Sequence, residues 1–304
     1  MVLILLGFAA GIGLPVQTTV NTRLGRRLGG PWNASLVSFS VSLAFLILLL
    51  LVTGQLFALP MSQLRGQPVW LFAGGLCGVT FLTGNILLFP RLGSVQTVVL
   101  PVMGQILTGL LIDHFGWLRA EQVPLTPLRG LGALLVAAGV IVVATARGDG
   151  GVHREPNGVL PWQIFAVLAG GLSAAQTAIN GALARASGSP IWASVISFAV
   201  GVVLLILLHF ALRSRTAEPE VRSSRPWWMW VGGLLGAAYI LANIRLSGSL
   251  GTGLAIIILL IGSTAGSVLV DQFGWFGAER KPMNLRKAAG LVCMTVGAIC
   301  IRLL

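Results

Sequence analysis

The stretch WLFAGGLCG at residues 70–78 returns as WMWVGGLLG at residues 228–236. Each copy lies at the start of an apolar segment and is followed by the pair Asn-Ile, at residues 85–86 and 243–244. Similarity at a separation of about half the chain length is the signature of an internal duplication. The sequence is therefore best understood as two related halves.

Two further motifs recur in the same order and at nearly the same separation. Gln-Thr-x-x-Asn occupies residues 17–21 and 176–180, and Asp-x-Phe-Gly-Trp occupies residues 113–117 and 271–275. These matches extend the duplication over almost the whole chain. The predicted organisation is a first repeat at residues 1–146, a linker at residues 147–161 and a second repeat at residues 162–304.

The composition is that of an integral membrane protein. Of the 304 residues 56% are hydrophobic and only 9% are charged, and the mean hydropathy is +0.91. Apolar segments recur at about 20 residues, the length that crosses a ~30 Å hydrocarbon core as a helix. The ten predicted spans are residues 2–22, 32–53, 69–89, 94–114, 128–146, 162–183, 191–212, 227–247, 251–271 and 285–303.

Five helices per copy have a consequence for the fold. Because five is odd, the second copy must enter the membrane from the opposite side to the first. Inverted repeats of this kind are common among secondary transporters, where two equivalent halves exchange conformations. We therefore predict an all-α integral membrane fold of ten transmembrane helices arranged as two inverted five-helix repeats.

Charge and cysteine usage narrow the function classes. The chain carries 20 Lys and Arg against eight Asp and Glu, a net charge of +12, but these charges fall between apolar runs. Lipid headgroups are therefore better partners than nucleic acid. The three cysteines lie inside apolar runs, and the sequence shows no catalytic, phosphate-binding or metal-binding motif. We expect no enzyme activity, no cofactor and no metal.

The connections between the spans differ in basic charge. Connections 1–2, 3–4, 5–6, 7–8 and 9–10 carry 14 Lys and Arg, whereas the remaining connections and the ends carry six. Loops rich in Lys and Arg stay in the cytoplasm. This count predicts that both termini lie outside.

Ten hydrophobic segments in two five-helix copies, with Gln-Thr-x-x-Asn in the first helix and Asp-x-Phe-Gly-Trp closing the fourth, resemble the drug/metabolite transporter superfamily. Within it, the chain is similar to the YdcZ-like family in a fused two-copy form. The resemblance implies a secondary transporter, and more specifically an exporter, in a bacterial inner membrane. It also implies cytoplasmic termini, opposite to the charge count. The proton-exchanging glutamate of small multidrug-resistance relatives has no counterpart at Gln17 or Gln176.

Side-chain amides inside the spans are the candidate substrate contacts. In each copy the Gln and Asn of the first motif are four residues apart and so share a helix face. Buried amides need a polar partner, so they either bind cargo between the copies or join helices by hydrogen bonds. The duplicated amides are Gln17, Asn21, Asn85, Gln176, Asn180 and Asn243.

Three other residues are functional candidates. Trp192 could line a vestibule and contact substrate. Asp113 and Asp271 occupy equivalent span ends, and each either fixes the turn before Phe-Gly-Trp or couples transport to proton movement. The second hypothesis rests on the helix dipole, which disfavours a carboxylate at a helix C-terminus. Arg245 is a candidate partner for one of the two aspartates.

These observations predict a secondary transporter of a small organic solute that works by alternating access in a bacterial inner membrane. Its expected partners are the lipid bilayer, the small-molecule substrate and, under the coupling hypothesis, protons. A monomer is feasible because both repeats are in one chain. The alternative is a non-transporting membrane scaffold or a lipid-handling protein.

Overall fold

A computed structural model describes residues 2–58, 61–145, 158–212, 227–280 and 283–303. Across these residues the chain forms helices and turns and no strand, which confirms the all-helical prediction. The predicted linker at residues 147–161 lies, up to residue 157, outside the described residues.

The long helices begin and end at residues suited to those positions. Proline, whose fixed φ suits the first helical turn, opens three of them. Gly116, Gly188 and Gly274, all with positive φ, end three others. In chain order the helices are α1 (Val2–Arg27), α2 (Pro31–Val52), α3 (Met61–Leu64), α4 (Gly74–Phe115), α5 (Pro127–Thr145), α6 (Leu160–Ser187), α7 (Pro190–Leu212), α8 (Val231–Phe273) and α9 (Leu285–Leu303).

Several helices of the described chain can cross a membrane. By length and composition there are six candidate spans, and α5 and part of α8 add shorter apolar helices. The chain is therefore a multi-pass membrane protein. The six spans are Val2–Arg27, Pro31–Val52, Val69–Phe115, Leu160–Ser187, Pro190–Ala211 and Trp227–Leu246.

Helix α4 is two helices that fold back on one another. Its 42 residues would reach ~63 Å if straight, about twice the hydrocarbon thickness. Gly93 interrupts it with φ 80° and ψ 174°, a conformation that only glycine adopts readily. The first part of α4 runs antiparallel to α6, and the second part of α4 runs parallel to α6. The contacting pairs are Asn180 with Gly74, Gln176 with Gly78, Val167 with Gly104, and Gly171 with Thr108.

Helix α8 has the same arrangement against α1. The backbone of Gly7 in α1 lies against the side chains of both Leu246 and Ile258. These two residues are 12 positions apart, which is ~18 Å along a straight helix. Two side chains that contact the same glycine therefore cannot lie on one straight helix. The two parts of α8 therefore lie side by side along α1.

The most extensive helix–helix contacts each join a helix of one copy to a helix of the other. Helix α1 of the first copy packs on α8 of the second, and α6 of the second copy packs on α4 of the first. Helix α2 packs on its counterpart α7, with the rings of Phe39 and Phe198 4.9 Å apart. Helix α5 packs on its counterpart α9, where a methyl group on Gly132 or Gly139 would meet the backbone of the facing helix. The two copies are thus interlocked along their length.

Candidate functional site

The predicted amides of α1 and α6 lie on glycines of the opposite copy. A methyl group at any of these glycines would overlap the amide that faces it. The glycines therefore act as notches that let the amides lie between two closely packed helices. The four pairs are Gln17 with Gly236, Asn21 with Gly232, Gln176 with Gly78, and Asn180 with Gly74.

Asn21 takes part in helix packing. Its Nδ2 donates a hydrogen bond of 3.1 Å to Oγ of Ser38 in α2. Its Oδ1 accepts no hydrogen bond from a donor of the described residues and lies against Gly232. Oδ1 of Asn180 lies in the same way against Gly74. Each oxygen lies in the space that a Cβ on the facing glycine would fill.

A cavity of about 660 Å³ lies between the copies and contains most of the predicted substrate contacts. This volume is in the usual range for ligand sites. The predicted residues that line it are Gln17, Asn85, Asp113, Gln176, Asn180 and Asn243. Asn21, Trp192 and Asp271 lie outside its lining. Trp192 is buried, and its indole N–H donates to the backbone oxygen of Gln55.

Three of the lining amides have no hydrogen-bond partner among the described residues. Gln17, Asn85 and Gln176 are each more than nine-tenths buried. None of their side chains makes a hydrogen bond to another described residue, and Oδ1 of Asn85 is fully buried without one. The interhelical hydrogen bonds expected of packing residues are therefore not made by these three amides. In contrast, Asn243 donates to Oγ1 of Thr177 at 3.4 Å.

Polar residues that the sequence analysis missed complete the lining. Gln105 of α4 donates to Oγ of Ser173 at 3.2 Å, and both residues line the cavity with Thr177 and Tyr239. Tyr239 is the only tyrosine of the chain and lies in a predicted span. An unusual polar residue inside an apolar run was thus the signal that could have identified it. The apolar part of the wall includes Phe39, Phe81 and Phe198.

The lining of the cavity reaches one face of the protein. It extends to Glu121 after α4 and Arg185 near the end of α6, both of which are exposed. At the other face the chain is packed. There the guanidinium of Arg23 lies against Gly277, and the rings of Trp228 and Phe276 are 5.3 Å apart. The cavity therefore reaches the surface at the face with Glu121 and Arg185, and side chains are packed at the opposite face.

Asp113 lies at the edge of this cavity in a buried ion pair. Its carboxylate accepts a hydrogen bond from Nη2 of Arg129 at 3.0 Å. The same guanidinium donates to the backbone oxygens of Val123, Pro124 and Ile301. Arg129, which the charge count placed in a connection, thus joins the turn after α4 to the start of α5 and the end of α9. Arg245, the suggested partner of an aspartate, is exposed.

The second copy has the corresponding charges. Asp271 and Lys287 stand where the first copy has Asp113 and Arg129, and both are buried. The turn after each aspartate also adopts the same conformation. Leu118 and Phe276 have φ of 58° and 53°, a left-handed conformation that is unusual for such side chains. Duplicated backbone strain at the end of α4 and α8 could not be foreseen, because neither residue favours it.

The aromatic residues of the two turns stack in equivalent pairs. Trp117 stacks on Phe115 and Trp275 stacks on Phe273, with interplanar angles of 18° and 19°. Both indoles are substantially exposed. Aromatic rings at span ends are typical of the membrane–water interface. In the described part of the chain, no cluster of three or more His, Cys, Asp or Glu residues could hold a metal ion.

Comparisons with known proteins agree with this architecture. Inner membrane protein YdcZ of Escherichia coli (strain K12) is 31% identical over 140 residues, which are 45% of this chain and 90% of YdcZ. A solved crystal structure that is 20% identical covers 99% of this chain and 96% of its own, with a TM-score of 0.63. That likeness shows the fold alone.

The family match covers the chain in two segments. Residues 2–142 and residues 161–300 each match the same family description. The chain is therefore a two-copy form, as predicted, and a multi-pass protein of the inner membrane. It belongs to the family described as "Putative inner membrane exporter, YdcZ".

Proposed function

We propose that this protein is a secondary transporter that exports a small organic solute by alternating access between two inverted five-helix copies. The observation that carries the proposal is the cavity between the copies, lined by duplicated amides of which three make no hydrogen bond to a described residue. Buried amides without partners cost free energy, so a ligand in the cavity explains why they are there. A scaffold or lipid-handling protein, the alternative, has no need of such groups.

The helix contacts support the inversion. Counting α4 and α8 as two spans each gives five spans per copy. Helices α5 and α9 are counterparts, and they contact one another through Gly132 with Gly297 and through Gly139 with Gly290. As the residue numbers increase along α5, those of the contacted residues in α9 decrease, so the two counterparts run antiparallel. Antiparallel counterparts are what a two-fold axis in the membrane plane produces.

The first test is transport itself. Replacing Gln17 or Gln176 by leucine should lower transport in proteoliposomes roughly tenfold or more, because a buried polar contact to cargo is worth about 1–3 kcal/mol. The thermal unfolding temperature should change little, since neither amide makes a hydrogen bond to a described residue. The measurement is efflux or uptake across a panel of solutes, with unfolding followed in parallel.

The matched control for this test is Gln163→Leu. Gln163 is also on α6, but it lies outside the cavity and its Nε2 is 3.5 Å from Oε1 of Gln96. Transport by this variant should match that of the unmodified protein. If every loss of transport came with loss of folded protein, Gln17 and Gln176 would be packing residues and the proposal would lose its support.

The proposed orientation follows from the charge count and puts both termini outside. The face reached by the cavity at Glu121 and Arg185 is then the outer face. A reporter fused after Leu304 should therefore behave as periplasmic, and one inserted between Arg213 and Pro226 as cytoplasmic. The opposite result at both sites would reverse the orientation and leave the inversion intact.

Proton coupling through Asp113 or Asp271 is a further hypothesis. The carboxylate of Asp113 lies 3.0 Å from the guanidinium of Arg129, and Asp271 is buried in the second copy. We expect substitution of one or both of Asp113 and Asp271 by asparagine to abolish transport driven by an imposed pH gradient while exchange without a gradient persists, with unfolding followed in parallel because Asp113→Asn leaves the buried Arg129 without its counter-charge. Gradient-driven transport that survives in the double variant would assign both aspartates to the turns alone.

A further inference from the structure

The inner part of the cavity holds no formal charge. Among the described residues that line it, the only charged ones are Asp113, Glu121 and Arg185, and these lie at the ends of α4 and α6 near the mouth. The lining around Gln17, Gln176 and the two asparagines of the Asn-Ile pairs consists of amides, hydroxyls and apolar side chains. A solute bound there meets dipoles and no counter-charge.

The charged residues at the mouth cannot neutralise an ionised solute that moves to the inner part of the cavity. Glu121 and Arg185 are exposed, so water stabilises their charges where they are. The carboxylate of Asp113 already receives a hydrogen bond from Arg129 at 3.0 Å. An ionised solute that reached the amides would leave water without gaining an opposite charge, which is costly in a low-dielectric interior. Anions and cations are disfavoured alike.

The partnerless amides specify what the solute must offer. Each amide presents two donors and one acceptor oxygen. Asn85 also lines the cavity, but its Oδ1 is fully buried, so its amide nitrogen is the group that a solute in the cavity can reach. The amide nitrogens of Gln17 and Gln176 require acceptors. The nearby rings of Phe39 and Phe198 form an apolar wall that suits a hydrocarbon or aromatic body.

We propose that the cavity binds an uncharged organic solute that carries a carboxamide or hydroxyl group on an apolar body, and that it rejects acids and bases of the same shape. This inference rests on the proposed function, because it names the substrate class of the same cavity.

Isosteric probes separate charge from shape. Benzamide, benzoate and benzamidinium have nearly the same outline and are neutral, anionic and cationic at neutral pH, and the three 2-naphthyl analogues form a larger set. The purified full chain should be stabilised against heat by the carboxamides in a concentration-dependent way. The carboxylates and amidiniums should need at least tenfold higher concentrations for the same shift. The shift should persist in Gln163→Leu and disappear in Asn85→Leu.

A charge introduced into the cavity gives a second readout. Gln176→Glu places a carboxylate among the amides, so the amidiniums should now stabilise the protein at least as well as the carboxamides do. Equal stabilisation of the unmodified protein by a charged probe, lost in Asn85→Leu, would overturn the inference. So would the absence of a shift from both carboxamides.

The inference and the proposed function fail in different experiments. Binding of the carboxamides without transport of any solute in proteoliposomes would refute the transporter and keep the neutral site. Transport of a charged solute that requires Gln17 and Gln176 would keep the transporter and refute the neutral site.

Discussion

Replacing Gly170 by alanine should destabilise the protein strongly, although Gly170 lies outside the cavity lining. A methyl group at Gly170 would overlap the backbone carbonyl of Pro101, and the backbone cannot rotate away as a side chain can. Helix α6 would have to move off the second part of α4. Overpacking of this kind costs about 1–3 kcal/mol and more where the backbone must shift. Thermal unfolding of the purified protein in detergent measures the loss.

The same helix offers a matched control. Near Gly181 the closest atom to an added methyl group is Nη1 of Arg185, at 3.7 Å, which is ordinary contact. Gly181→Ala should therefore be neutral or stabilising by up to ~1 kcal/mol, because alanine favours helix more than glycine does. Equal destabilisation by the two substitutions would show that α6 is sensitive to any side chain and that the close approach at Pro101 has no special role.

Removal of Arg129 should have the second large effect. In Arg129→Met the carboxylate of Asp113 loses its cation, and the backbone oxygens of Val123 and Ile301 lose their donor. Breaking a buried ion pair from one side costs about 3–5 kcal/mol, because it leaves an uncompensated buried charge. We expect a loss of that order in the free energy of unfolding.

A second substitution distinguishes the ion pair from general packing. Asp113→Asn in the Arg129→Met background removes the stranded charge and should recover part of the lost stability. Arg119→Met is the control, because this exposed guanidinium donates to Gln67 and lies 5.8 Å from the centre of the Trp70 ring, and each of these surface contacts is worth under ~1 kcal/mol. Additive losses in the double variant would mean that Asp113 and Arg129 stabilise the fold independently.

The periodicity and length of the apolar segments were sufficient to predict the helices. Runs of about 20 apolar residues have few alternatives in a chain this hydrophobic, so spans such as 94–114 agree with the observed helix after Gly93. The duplicated amides also led to the cavity, since Gln17 and Gln176 occupy equivalent helix faces. Duplication places equivalent residues around a shared axis, and a site on that axis is lined by both copies.

The parts that could not be foreseen depend on contacts between distant residues. Arg129 was counted as a loop charge, because nothing in its neighbourhood shows that the turn after α4 folds back to bring it to Asp113. Gln105 reaches the cavity from a helix face that no motif marked, and Tyr239 lies on the face shared by Gly236 and Asn243 without belonging to either motif. The assignment of Asn21 to a hydrogen bond with Ser38 likewise required the packing of α2 against α1.

The glycine notches have a consequence for the order of synthesis. The amides of α1 leave the ribosome first, yet the glycines that receive them, Gly232 and Gly236, follow about 200 residues later. Until then Gln17 and Asn21 are in the membrane without the surface that will cover them. Insertion of α1 must therefore precede its packing by most of the translation time. A ribosome that stalls between the copies leaves a chain whose first helix lacks its main packing partner, α8.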